Sequence, residues 1–188
     1  MAHLLEGKPL AENIKQDLKN RITLLKVKPV LASVQVGEHA AIASYVQSQK
    51  RCAESLGIEY RLQTLPETSS AAAVTAHIQQ LNLDRGVHGI IVQMPLPAHI
   101  AFSDMARAIS PQKDVEGVHP ADICRLMFGE TGFVPCTAAA VMEMVAATGV
   151  NLYGKEAVVV GSSKIVGKPI ALMLLEKMAT VTICRICL

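Results

Sequence analysis

The sequence has no tryptophan, and aromatic residues make up only 3% of its 188 positions. Stacking platforms for single-stranded nucleic acid need aromatic faces, so that class of binder is disfavoured. Neither sign of charge dominates. Eighteen Lys and Arg stand against 16 Asp and Glu, a net charge of +2, which argues against a polyanion-binding surface. No apolar run reaches roughly 18 residues, so no membrane span is expected. The N-terminal MAHLLEGKPLAENIKQDL carries Glu6, Lys8, Glu12 and Lys15. It lacks the apolar core and small-residue cleavage site of a secretory signal. Five cysteines at irregular spacing do not make a disulfide framework, and a reducing, cytoplasmic setting is expected. What is abundant is aliphatic: hydrophobic residues are 51% and charged residues 18%. That excludes intrinsic disorder and predicts a core of Ala, Val, Ile, Leu and Met. The length suits one domain, or one and part of another.

Helix-like and strand-like periods alternate along the chain. Leu10, Ile14, Leu18, Ile22 and Leu25 recur at steps of three and four, which predicts an amphipathic helix over 10–25. Pro29 to Val36 reads as a buried strand stopped by Gly37, and His39 to Leu56 as a helix stopped by Gly57. Ile58 to Leu65 is strand-like. Ser69 or Ser70 is placed to cap a helix running to about Leu81, and Val87 to Gln93 is a third buried strand. Three strands separated by helices predict an α/β fold with a parallel α/β/α arrangement. Prolines and glycines punctuate 94–137, which reads as loops with short helices. Beyond lie a helix over Thr137–Thr148 capped by Thr137, a strand over 156–161, a helix over Ile165–Lys177 and a strand over 179–184. These last elements open a second, Rossmann-like unit, and the boundary is placed at 140, giving domains 1–140 and 141–188. A doubly wound nucleotide domain uses about six strands. Two are expected here, so the chain reads as a fragment, a natural truncation or a short form.

Several segments can carry chemistry. In Val160-Gly161-Ser162-Ser163-Lys164-Ile165-Val166-Gly167-Lys168-Pro169 a strand runs through glycine into a helix start. Exposed N–H groups and a positive helix end suit a phosphate, but a plain tight turn fits the pattern as well. It is neither G-x-G-x-x-G nor a P-loop. Tyr45 and Gln49 share a helix face, and Lys50 points elsewhere, about 100° away. The pair reads either as a ligand-facing site or as a solvated face. Gln93-Met94-Pro95-Leu96-Pro97 follows a buried strand, where open α/β sheets bind ligands; it reads equally as a rigid turn. Asp114 and Glu116 are two apart on a loop and in an extended segment would face one way, or else form a solvated acidic turn. The six histidines show no metal-ligand spacing. Cys184-Arg185-Ile186-Cys187 is a lone CxxC at the chain end, weak as a zinc or redox motif, and no metal is expected.

Taken together, the segments SYVQSQKRCAESLGI (44–58), GIIVQMPLPAHI (89–100), PQKDVEGVHP (111–120), FVPCT (133–137) and YGKEAVVVGSSKIVGKPIALMLL (153–175) carry a resemblance. The chain resembles the bifunctional methylenetetrahydrofolate dehydrogenase/methenyltetrahydrofolate cyclohydrolase family over nearly its whole length. The resemblance implies an N-terminal α/β folate-binding domain and the first part of a Rossmann-like NAD(P)-binding domain. It implies oxidation of 5,10-methylenetetrahydrofolate with NADP (NAD remaining possible), then hydrolysis of the methenyl product to 10-formyltetrahydrofolate. It assigns catalysis to Tyr45, Gln49 and Gln93. Substrate binding falls to Tyr45, Val92, Gln93, Met94 and Glu116, and cofactor binding to Thr137, Gly161, Ser162, Ser163 and Ile165. Members are commonly homodimers; nucleic acid and membrane are not expected partners.

Four departures qualify the resemblance. The family pattern Y-x-x-x-K has Gln49 at the lysine position, and an amide neither takes nor gives a proton usefully near neutrality. Hydrolysis is therefore expected to be weak or lost, whereas hydride transfer, which depends on positioning, can survive. The second Asp of K-D-V-D-G is Glu116, which keeps the carboxylate one methylene further out. Ser162 stands where Arg is frequent, and Arg185 and Ile186 stand in place of His and Ser, so NADP over NAD is less firmly specified. The glycine-rich P-G-G-V-G segment is not present. A second reading follows: a catalytically inactive folate-binding or interaction module left by truncation.

Overall fold

The computed structural model describes residues 4–130 and 132–185. It divides into two compact units, Ala11–Val115 and Met1–Leu10 with Glu116–Leu188. The element order begins α1 (Gly7–Thr23), β1 (Val30–Val36), α2 (Ala40–Ser55), β2 (Glu59–Leu65), α3 (Ala71–Leu83), β3 (Gly89–Val92) and α4 (Phe102–Ala108). The α/β expectation holds, and the first helix starts and ends earlier than the leucine spacing suggested.

The first sheet is parallel throughout, in the order β2-β1-β3. Side chains alternate between the faces of a strand, and here the two faces differ in chemistry. Val30, Ala32, Val34 and Val36 of β1 join Ile90 and Val92 of β3 in a core closed by Val74, Ile78 and Leu81 of α3 and by Met105 of α4. The opposite face receives α2: Val46 and Ala53 pack with Tyr60 of β2 and Ile91 of β3, flanked by Leu31. The register sets Leu31 beside Tyr60 and Gly89, then Ser33 beside Leu62 and Ile91, then Gln35 beside Thr64. The α2-facing side thus turns from apolar to polar toward the carboxyl ends of the strands, where open α/β sheets bind ligands.

Ser70 caps α3, its side chain accepting from the Ala73 N–H at 3.2 Å. The far end of α3 is tied to the loop that follows α4. Lys113 Nζ donates to the carbonyls of Leu81 at 2.8 Å and Asp84 at 2.6 Å, a cation set against helix-end carbonyls. Asn82 bridges the Ala108 carbonyl and the Ser110 N–H. Ile90 N–H then donates to the Lys113 carbonyl, and Ile90 bridges Asp114 in parallel fashion. Replacing Lys113 with Met removes two charge-assisted bonds and is expected to cost about 1–3 kcal/mol. Urea unfolding checks this, with a change under 0.5 kcal/mol (roughly the scatter of surface substitutions) against it.

The second unit contains α5 (Pro120–Met127), α6 (Cys136–Ala147), β4 (Glu156–Val160), α7 (Gly167–Glu176) and β5 (Thr180–Cys184). β4 and β5 pair in parallel from Glu156 beside Thr180 to Val160 beside Cys184, with α7 as the crossover. This is the βαβ opening read from the sequence. Two starts differ. Thr137 does not cap α6: Pro135 holds the N-cap position, without a side-chain cap bond, and Cys136 is the first helical residue. Helix α7 begins at Gly167 rather than Ile165, because 161–166 form the turn that precedes it. Among the described residues no helix is long and apolar enough to cross a membrane.

Candidate functional site

The first unit gathers polar side chains at one place on the α2-facing side of its sheet. Gln93 follows β3 directly and is 5% exposed. Its Nε2 donates to Ser33 Oγ at 2.9 Å and to Gln49 Oε1 at 2.7 Å. The Tyr60 hydroxyl donates to the same Gln49 oxygen at 3.1 Å. Strand β1, strand β2, the end of β3 and helix α2 therefore each contribute one group to a continuous chain of hydrogen bonds. Buried polar atoms are costly unless paired, and this chain pairs them in a way that fixes both amides. Nε2 of Gln93 spends both protons, so its carbonyl is the group left to face outward. The Gln49 oxygen receives two donors, so its NH2 is the group left there.

Gln49 occupies this place because α2 repeats every 3.6 residues. Val46, Gln49 and Ala53 fall on the stripe that meets the sheet. Tyr45, one turn earlier, shares the Gln49 side of the helix and is 58% exposed. Lys50 lies off that stripe, exposed, its Nζ 3.9 Å from Glu54 Oε1. It does not stand in for a lysine at position 49. Val92 contributes its side chain to the core, so any role toward a ligand falls to its backbone. Met94 is exposed beside Gln93, ahead of a cis Met94–Pro95 bond.

The acidic loop departs from the extended segment considered from its sequence. Residues 111–116 are mostly turn, so the two-residue spacing of its carboxylates does not set them on one side. Asp114 is fully buried and bridged to Ile90, while Glu116 is half-buried at the start of the second unit. On β2, Arg61 hydrogen-bonds Glu59 and holds that carboxyl below its ordinary range. The stabilisation is present above the ordinary carboxylate pKa and fades as pH falls through the lowered one.

In the second unit, Gly161 ends β4 with its N–H on the Cys184 carbonyl at 2.8 Å, and a Cβ there would meet open space. Ser163 turns toward α7: its hydroxyl accepts from the Gly167 N–H at 3.2 Å and its carbonyl from the Lys168 N–H at 3.1 Å. The Gly161 carbonyl lies so close over Gly167 that a Cβ on Gly167 would sit 1.9 Å from it. Open space at the would-be Cβ of Gly161 and a strand–glycine turn–helix start are features that suit the phosphates of a dinucleotide, so the residues fit such a cofactor. Ile165 is exposed on the turn, and Thr137 is exposed on the first turn of α6. Ile186 and Cys187, the end of the CxxC, lie outside the described residues, and no metal-binding cluster occurs among those described.

The model of the tetrahydrofolate dehydrogenase/cyclohydrolase catalytic domain matches residues 5–116, and that of its NAD(P)-binding domain matches 135–187. The chain belongs to the tetrahydrofolate dehydrogenase/cyclohydrolase family. Bifunctional protein FolD of Magnetococcus marinus is 47% identical over 189 residues, covering 98% of this chain and 66% of that protein. The FolD methylenetetrahydrofolate dehydrogenase/cyclohydrolase structure from Campylobacter jejuni superposes with a TM-score of 0.95 at 40% identity, over 99% of this chain and 67% of that one. A Trypanosoma brucei FolD structure, complexed with NADP cofactor and inhibitor, gives 0.91 at 31% identity, over 98% and 64%. The chain thus spans 66% of the length of the curated relatives it matches. For this member of the tetrahydrofolate dehydrogenase/cyclohydrolase family, the sequence reading singled out Gln49 and Gln93, which the structure joins directly. It missed Ser33 and Tyr60. Ser33 left a signal, a hydroxyl in an otherwise buried strand (VLASVQV). Tyr60 left only the inward phase of β2.

Proposed function

We propose that the chain serves one-carbon folate metabolism by oxidising 5,10-methylenetetrahydrofolate to 5,10-methenyltetrahydrofolate, with hydrolysis to 10-formyltetrahydrofolate weak or lost. The observation that carries this reading is the state of Gln49. Its carboxamide is held between Gln93 and Tyr60, at the position where the family pattern has a lysine. A carboxamide orients a ligand but cannot relay a proton at neutral pH. Hydride transfer asks the protein chiefly for positioning, and neutral groups suffice for that. The Gln93 carbonyl and Gln49 NH2 are fixed neutral contacts. The exposed Tyr45 ring offers a flat face to the pterin, and Glu116 is the carboxylate that the family resemblance assigns to folate binding.

NADP, or NAD as the alternative, supplies the hydride acceptor when bound. Gly161, Ser162, Ser163 and Ile165 on the turn and Thr137 on α6 are the residues assigned to hold it. Folate binding is assigned chiefly to 1–140 and nicotinamide binding to 141–188, with Thr137 the one cofactor residue before that boundary; the two matched segments, 5–116 and 135–187, support the order of the two functions. A cytoplasmic homodimer is the proposed form, with tetrahydrofolate derivatives as its ligands and neither nucleic acid nor membrane among its partners.

The test is to supply 5,10-methylenetetrahydrofolate with NADP and, separately, with NAD, and to follow the reduced nicotinamide. Turnover with NADP exceeding that with NAD supports the full reading, and a preference for NAD reverses the cofactor assignment. A folded sample that binds tetrahydrofolate but reduces neither cofactor supports the other reading, an inactive folate-binding module.

A further inference from the structure

We propose that Tyr60 is a positioning residue that acts through Gln49, setting which face of the Gln49 carboxamide meets the ligand. The inference rests on the folate reading above for the identity of that ligand, but not for the coupling itself. Tyr60 is the second residue of β2 and is 7% exposed, its ring packed with Val46 and Ala53 of α2 and Ile91 of β3. A tyrosine so buried needs a partner for its hydroxyl, and Gln49 Oε1 at 3.1 Å supplies one. Without that donor Gln49 is tied only to Gln93, and its side chain regains torsional freedom that ligand binding would have to remove again. Tyr60 approaches from the apolar end of the sheet face, beside Leu31, while Tyr45 is exposed on the helix above. Ser33 closes the other end of the chain, on Gln93.

The test uses Tyr60→Phe, which keeps the ring in the core, combined with Gln49→Ala. Two readouts are taken on the full chain: the side-chain amide signals of Gln49 in 15N-correlated NMR spectra, assigned by their loss in Gln49→Ala, and the affinity for 5-formyltetrahydrofolate by calorimetry. Tyr60→Phe is expected to move the Gln49 amide signals and to weaken binding about 3–10-fold, the effect of one hydrogen bond. In the Gln49→Ala background the same change is expected to alter affinity less than about twofold, because the two residues act as one unit. Unmoved Gln49 signals, or an equal loss in both backgrounds, overturn the proposal. Absence of binding by the wild-type chain would count against the folate reading instead, and the amide signals of the free protein would still decide the role of Tyr60.

Discussion

Gln49→Lys is expected to raise hydrolysis of 5,10-methenyltetrahydrofolate by about 100-fold or more over the unaltered chain. A placed proton-transfer group is worth about 10²–10⁴ in rate. The slot is already shaped for it. The Tyr60 hydroxyl, now a donor to Gln49, can accept from an amine as well as donate. Gln93 can present its carbonyl by rotating its amide, with Ser33 then donating in place of accepting. Partial burial lowers a lysine pKa toward neutrality, as a proton relay requires. The gain would also follow the ionisation of the introduced amine, which a carboxamide at position 49 does not have. Loss of the methenyl absorbance, followed with and without the substitution across pH, is the measurement. A folded, folate-binding variant with unchanged hydrolysis would show that position 49 does not control the step.

The second large effect is expected at Gly167. An added Cβ would lie 1.9 Å from the Gly161 carbonyl oxygen and 2.7 Å from its carbon. Both are backbone atoms, so no side chain can swing aside. Either the turn after β4, which carries Gly161, Ser162, Ser163 and Ile165, opens, or the start of α7 moves away from it. A misplacement of about 1 Å costs about 100-fold where geometry governs the outcome. Gly167→Ala should therefore weaken NADP binding by about 100-fold, with a stability loss of about 1–3 kcal/mol from overpacking. Gly149→Ala is the control. Gly149 has φ +72° but nothing within 4 Å of its would-be Cβ, so only the left-handed conformation is penalised, by about 1–2 kcal/mol. Titration of NADP against the two variants separates crowding at the turn from general destabilisation. Unimpaired binding by Gly167→Ala would remove this turn from the cofactor assignment.

Much of this architecture was legible because it follows from period and punctuation. The all-buried GIIV of β3, the serine ahead of α3 and the glycine after α2 each have a local cause. Helix starts were harder. Thr137 has the chemistry of a cap, yet Pro135 precedes it with a fixed φ and leads the chain into helix at Cys136. Ile165 is apolar and in phase with α7, but the close approach of Gly161 to Gly167 holds the preceding residues in a turn. In the site, Gln93 was visible as a polar residue at the end of a buried strand, and Gln49 by sharing a helix face with Tyr45 and standing at the lysine position of the family pattern. Tyr60 was not. Its partner is fixed by how α2 lies across β2, which depends on the parallel register of three strands and on packing around Val46 and Ala53. No spacing within one segment encodes that.

The most direct test of the account follows two products at once in a steady-state reaction of the purified chain with 5,10-methylenetetrahydrofolate and NADP. Reduced nicotinamide is measured beside the methenyl and 10-formyl forms, after correction for spontaneous hydrolysis. Methenyltetrahydrofolate is expected to accumulate in step with reduced nicotinamide. Reduced nicotinamide accompanied by 10-formyltetrahydrofolate, with no methenyl build-up, would show that a proton relay operates despite Gln49 and would contradict that expectation.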